Sequence, residues 1–138
     1  MKLLQFNILD GCPSKARYEK FKAWMAKQDY DVIGLNELND WDANKLQTHA
    51  KEWGYDHSVV FEMETSPYYV GFLSKTPIEI IRKDEENFYH GLLHVKTKGT
   101  HFLIAHLTPF ESSYREKETK QIAEFVQAIK EPTVVMGD

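Results

Sequence analysis

The chain has 138 residues, 42% of them hydrophobic and 28% charged, enough for one domain with a real core. Its 17 Lys+Arg against 21 Asp+Glu leave a net charge of −4, with no basic tail or Lys/Arg run, which argues against gripping nucleic acid by bulk electrostatics. Cys12 is the only cysteine, so no intrachain disulfide forms; the N-terminal apolar stretch is broken by Gln5 and Asn7 and is too short for a signal peptide, and a cytoplasmic location is the expectation.

The elements alternate at first. KLLQFNIL (2–9) reads as a strand, DGCP (10–13) as a turn, and Ser14 as the cap of a helix carrying Tyr18, Phe21, Trp24 and Met25 on one face. DVIGLNE (31–37) is a buried strand. Asn39 or Asp40 is placed to cap a second helix with Leu46, Ala50 and Trp53 on its inner face. Five short strand candidates follow: HSVVFE, YYVGFLS, IEIIRK, YHGLLHVKT and HFLIAHL. Ser113 and Glu116 have capping-box spacing before a helix with the stripe Ile122, Phe125, Val126, Ile129. PTVVMGD closes the chain as a last strand. The class is therefore α/β. VIGL, FLIA and TVVM are apolar on both faces, so both faces of the sheet should be covered. Three helices can cover one face, and the cover of the other is expected from outside the chain.

The chemistry sits in polar residues that interrupt or end apolar strands. Burying a polar group without a partner costs a few kcal/mol, so each asks for a reason. Asn7 interrupts LLQFNIL, Glu37 ends VIGLNE, His106 lies in FLIAHLTPF and Asp138 ends TVVMGD. Functional groups in open α/β sheets collect where strands end. Two carboxylates, an amide and an imidazole suit a hard cation such as Mg²⁺ and a proton-transfer group. Each has a plainer reading too: a loop carboxylate, a backbone-bonded amide, a core histidine. His90 and His94 lack the Glu of a zinc-protease helix and read as structural; Cys12 has no base beside it; the 7 glycines form no phosphate loop.

The order of these motifs resembles the endonuclease/exonuclease/phosphatase superfamily, which includes deoxyribonuclease I, apurinic endonucleases, neutral sphingomyelinases and inositol polyphosphate 5-phosphatases. LLQFNILDG is similar to its first strand with an active-site Asn, DVIGLNEL to its Gln-Glu strand, and YYVGFLSKTPI to its Leu-Ser-Arg/Lys-x-Pro-Ile segment. HFLIAHLTPF with REKETKQI is similar to its His-Leu strand and Arg-bearing helix, and PTVVMGD to the start of its Gly-Asp-Phe-Asn motif. The resemblance implies one half of a four-layer α/β/β/α sandwich: a mixed sheet with helices on one face. Residues 1–138 would be the N-terminal portion of a single domain, truncated within the Gly-Asp-x-Asn motif. It implies hydrolysis of a phosphodiester or phosphomonoester by metal-activated water. Glu37 would bind Mg²⁺ or Mn²⁺, Asn7 would support the metal or the phosphate, His106 would meet the scissile phosphate, and Asp138 would orient the attacking water. Asn36 departs from the family's Gln. The expected partners are a phosphate-ester substrate (nucleic acid, nucleotide, phospholipid or inositol phosphate) and either the remaining C-terminal half, a second polypeptide or a second copy of the chain. An isolated chain is expected to be inactive. The alternative is a non-catalytic half-domain that associates with itself or another polypeptide.

Overall fold

The computed structural model describes residues 1–138. The elements run β1 (Leu3–Asn7), α1 (Lys15–Met25), β2 (Val32–Asn36), α2 (Ala43–Glu52), β3 (His57–Phe61), β4 (Val70–Ser74), β5 (Glu79–Asp84), β6 (Leu92–Thr97), β7 (Thr100–Ala105), α3 (Ser112–Ala128) and β8 (Thr133–Gly137). They form two four-stranded sheets, ordered β1-β2-β4-β3 and β5-β6-β7-β8. Each sheet is mixed: β1–β2 and β7–β8 are parallel, and the remaining pairs are antiparallel.

Alternation along each strand sorts the side chains into three apolar layers. Val32, Phe61, Val70 and Phe72 of the first sheet meet Leu93, Val95, Phe102, Ile104 and Met136 of the second, and the Phe72 and Phe102 rings lie 5.1 Å apart. On the outer face of the first sheet, Ile33, Leu35, Val60 and Leu73 pack against Phe21 and Met25 of α1 and Leu46 and Ala50 of α2. On the outer face of the second, Leu92, Leu103 and Ala105 pack against Ile122 of α3, with Phe125, Val126 and Ile129 at the margin.

The α/β class holds, and each sheet carries helices on one face only. The expectation that one sheet and its helices account for the chain is corrected. There are two sheets, and the face expected to await an outside cover is covered by the other sheet. Each sheet has two free edges, β1 and β3 in the first and β5 and β8 in the second; on β1 and β8, Leu3 (42% exposed), Phe6 (36%) and Val135 (48%) face solvent. Val135 also corrects the reading of TVVM as buried on both faces.

The helix starts differ in detail. Ser14 does cap α1, its hydroxyl accepting the Arg17 N–H, but Trp24 is largely exposed and lies over Phe6 at 5.0 Å. Asp42, not Asn39 or Asp40, caps α2: Asp40 takes a left-handed φ of 61°, and the Asp42 carboxylate accepts the Lys45 N–H. The Ser113–Glu116 capping box does not form. The helix begins two residues earlier, at Ser112, behind Glu111 with no side-chain cap.

The outer face of the second sheet holds a polar relay that runs from the buried His94 and His101 out to the exposed Glu131. Glu131 accepts from His101 Nε2 (2.9 Å) and from Lys96 Nζ (2.7 Å), and His101 Nδ1 lies 2.8 Å from His94 Nε2. A carboxylate only accepts, so His101 donates through Nε2, and its Nδ1 receives the His94 Nε2–H. Burial, aided by the neighbouring His101 and Arg82, pushes the His94 imidazole down to about 4. An unfolded histidine titrates near 6.5, so between about 4 and 6.5 the unfolded chain binds the extra proton. Stability is therefore full above pH 6.5 and declines as pH falls through that window. Urea midpoints from pH 4.5 to 7.5 should show this limb, and His94→Gln, which keeps a donor toward His101, should make it shallower, the remainder coming from the buried His90 and His106. Superimposable profiles would remove His94 as a cause.

Candidate active site

Four strand exits converge on one point. Asn7 ends β1, and Glu37 follows β2; His106 follows β7, and Asp138 follows β8. Because β1 and β2 are parallel with Asn7 level with Asn36, their ends are adjacent; β7 and β8 are parallel with Ala105 level with Gly137, so theirs are too. Stacking the sheets brings the two pairs together. All four residues singled out from the sequence meet here.

Asn7 bridges the carboxylates. Its side-chain nitrogen donates to Glu37 Oε1 at 2.8 Å and to Asp138 Oδ2 at 2.7 Å, while its Oδ1 accepts the Leu9 N–H. The second Glu37 oxygen accepts the Asp10 N–H at 2.8 Å. Glu37 holds a left-handed φ of 59°, unusual for a residue with a side chain, and its carbonyl is clamped by the Gly11 N–H at 2.8 Å. Strained conformations of this kind persist where the surroundings over-determine them, and they gather at functional sites.

Asp138 and His106 are fixed to each other through the backbone. The Asp138 N–H donates to the Ala105 carbonyl, and the Leu107 N–H donates to the Asp138 carbonyl, so His106 lies between two clamped residues. This approach requires Gly137: at its φ of 148° a Cβ would collide with the Ala105 carbonyl oxygen. The buried Asn36 amide ties the two sheets directly beneath, donating to the Ala105 carbonyl at 3.0 Å and accepting from Gln5.

His106 is buried, and its Nδ1 has no hydrogen-bond partner. Burial pushes its imidazole below the ordinary range, against the opposing pull of the Glu37, Asp138 and Glu118 carboxylates. Liganding atoms of Glu37, His106 and Asp138 lie within 4.8 Å of one another. Two fixed carboxylates around one point, with an orphaned ring nitrogen beside them, fit a divalent cation: the oxygens suit Mg²⁺ or Mn²⁺ and the imidazole can serve cation or substrate.

The site contains residues that sequence reasoning passed over. His90, read from the sequence as structural, lies in the wall of this site. Its ring lies tilted against that of His106, with centroids 4.5 Å apart, and it borders the same cleft as Glu37, Asp10, Tyr68 and Phe110. Ser66 Oγ holds its Nδ1 at 2.8 Å, and burial, together with His106, pushes it down to about 4. Its only sequence signal was a histidine beside Gly91 before an apolar strand, and its partner Ser66 is 24 residues away. His94 is structural as expected, in the relay described above. Cys12 is buried, its thiol raised by burial, which fits its exclusion as a nucleophile.

The two-sheet α/β sandwich thus gathers carboxylates and imidazoles at its strand exits, where ligand sites of α/β sheets collect. Residues 4–138 match the endonuclease/exonuclease/phosphatase family, and the chain belongs to it. Solved structures agree on the fold. An AP endonuclease from Archaeoglobus fulgidus superposes with a TM-score of 0.73 at 16% identity, covering 100% of this chain and 56% of that one. A 3' phosphatase from Neisseria bound to product DNA hairpin gives 0.68 at 16% identity, covering 100% and 57%. A 3'-5' exonuclease from Neisseria meningitidis gives 0.69 at 17% identity, covering 100% and 57%. The chain thus spans somewhat over half the length of these structures. A comparison with curated protein sequences finds no match. No helix is long and apolar enough to cross a membrane.

Proposed function

We propose that residues 1–138 form the N-terminal portion of a metal-dependent phosphoric ester hydrolase domain, acting on a phosphodiester or phosphomonoester. The observation that carries this reading is the convergence of Asn7, Glu37, His106 and Asp138 from four strand exits onto one point. Glu37 is the principal ligand for Mg²⁺ or Mn²⁺, with Asn7 holding Glu37 and Asp138 in register. A bound cation supplies charge stabilisation at the phosphoryl oxygens. Asp138 orients the attacking water. His106, its imidazole pushed below the ordinary range by burial, presents its ring to a phosphate oxygen, and His90 backs it. A cytoplasmic location belongs to the same proposal. So does the expectation that the isolated chain turns over poorly until the rest of the domain is supplied.

A second reading, a non-catalytic half-domain that associates with itself or a partner, is favoured by one observation. The free edges of β1 and β8 expose Leu3, Phe6 and Val135, and open apolar strand edges recruit further strands. Hydrolysis of bis-p-nitrophenyl phosphate, with light scattering in parallel, separates the two. Cleavage that needs Mn²⁺ and stops with EDTA, appearing when the remaining half is supplied, supports the hydrolase. EDTA-resistant cleavage sinks it. A stable species of about twice 16.1 kDa without turnover supports the second reading.

A further inference from the structure

Beside the candidate metal site lies a second cleft, about 540 Å³ in volume, with walls that include Phe88, Tyr89, Phe110 and Tyr114. Tyr89 and Phe110 also border the cleft that holds Glu37 and His106, so the two spaces adjoin through these rings. The rings form a ladder leading out of the site: His106 to His90 at 4.5 Å, His90 to Tyr89 at 4.6 Å, Tyr89 to Phe110 at 5.3 Å. Three of the aromatic side chains are open to solvent: Tyr89 (54%), Phe110 (63%) and Tyr114 (54%). Gathered in one cleft, such rings form a ready surface for a planar ligand.

The walls are fixed in place. The buried Glu118 carboxylate accepts the Tyr89 N–H through one oxygen and the Thr108 N–H through the other, each at 2.9 Å, tying the loop before β6 to the loop after β7. Arg115 holds the second loop to α3, donating to the Phe110 carbonyl at 2.7 Å and the Thr108 carbonyl at 3.2 Å. A ligand therefore meets loops whose backbone is already positioned beneath Tyr89 and Phe110, which lowers the cost of ordering them. The charged residues of the cleft are Glu85, Glu86, Glu118 and a single Lys117. That balance repels a second phosphate and welcomes an uncharged ring with amino groups to donate. Inositol polyphosphates and a polynucleotide backbone running through the cleft are disfavoured on this ground.

We propose that the Tyr89–Phe110–Tyr114 cleft binds the base of a mononucleotide, or of a terminal nucleotide, whose phosphate lies at Glu37 and Asp138. The position of the phosphate rests on the hydrolase reading above; the stacking of the ring does not. The test uses the full chain with adenosine, adenosine 5'-monophosphate and ribose 5-phosphate, followed by amide chemical shifts and titration calorimetry with Mn²⁺. Adenosine should shift the Tyr89, Phe110 and Tyr114 amides. The monophosphate should bind about 5- to 100-fold more tightly than ribose 5-phosphate, the range for stacking a base. Tyr114 lines the ring cleft but not the cleft of Glu37 and His106, so Tyr114→Ala should narrow that margin and leave ribose 5-phosphate binding unchanged. If Mn²⁺ fails to bind while adenosine still moves these amides, the metal reading falls and the ring site stands. Equal affinities for the two phosphates, or no amide movement with either adenosine compound, overturns the ring site.

Discussion

Glu37→Gln should remove divalent-cation binding from this chain while leaving it folded. Loss of groups that merely support a metal ligand costs about 10- to 100-fold in affinity, and loss of a charged ligand itself should exceed that. The substitution removes one negative charge and one acceptor. Glu37 accepts from Asn7 through one oxygen and from the Asp10 N–H through the other. A glutamine amide can satisfy only one of these donors through its oxygen, so the other loses its partner, a local cost of about 1–3 kcal/mol. The core that stabilises the domain lies away from this loop, between the sheets and under the helices. Calorimetry with Mn²⁺ on the wild type and the variant, with a circular dichroism melt of each, reads both consequences. Where the hydrolytic reaction is reconstituted, it should disappear with the metal site. A variant that binds Mn²⁺ as the wild type does would take Glu37 out of the site, and the hydrolase proposal would lose its central ligand.

The candidate site was more legible in the sequence than the sheet arrangement, for a physical reason. Asn7, Glu37 and Asp138 each stand at the end of a run of apolar strand residues, and a polar group there is a local anomaly visible without any partner. The class of fold was legible too, because helix and strand periodicities differ. Which strands share a sheet is a pairing question, and pairing is non-local. β4 inserts between β2 and β3, and β5 starts a new sheet after Pro77, while nothing in the alternation of β4 or β5 announces either event. His90 was illegible for the same reason: its role depends on packing against His106, brought there by the β6–β7 pairing. The misplaced caps show local signals competing. Asp40 was a good capping residue by type, but the Trp41 N–H turns back to the Leu38 carbonyl, so the helix waits for Asp42.

The two-sheet arrangement makes the second large prediction, because it places Phe72 where a single open sheet would not. Phe72 is fully buried in the layer between the sheets and meets Phe102 across it. Phe72→Ala should cost about 3–5 kcal/mol, the transfer term plus the cavity left between two rigid sheets. Against a total of about 5–15 kcal/mol for a domain, that is a large share, and at about 4 °C per kcal/mol for a chain of this size the melting temperature should fall by about 10–20 °C. Ile81 supplies the contrast. It lies on β5, is 41% exposed, and its replacement by alanine should stay within about 0.5 kcal/mol. Phe102→Ala should be costly alone and less than additive with Phe72→Ala, since the two rings share one cavity, with a coupling of about 0.5–3 kcal/mol. Urea unfolding of the wild type and the four variants measures all of this. If Phe72→Ala costs no more than Ile81→Ala, the sheets do not pack on each other. The convergence of Asn7 and Glu37 with His106 and Asp138 would then fall with them, because only the stacking of the sheets brings those two pairs of strand exits together.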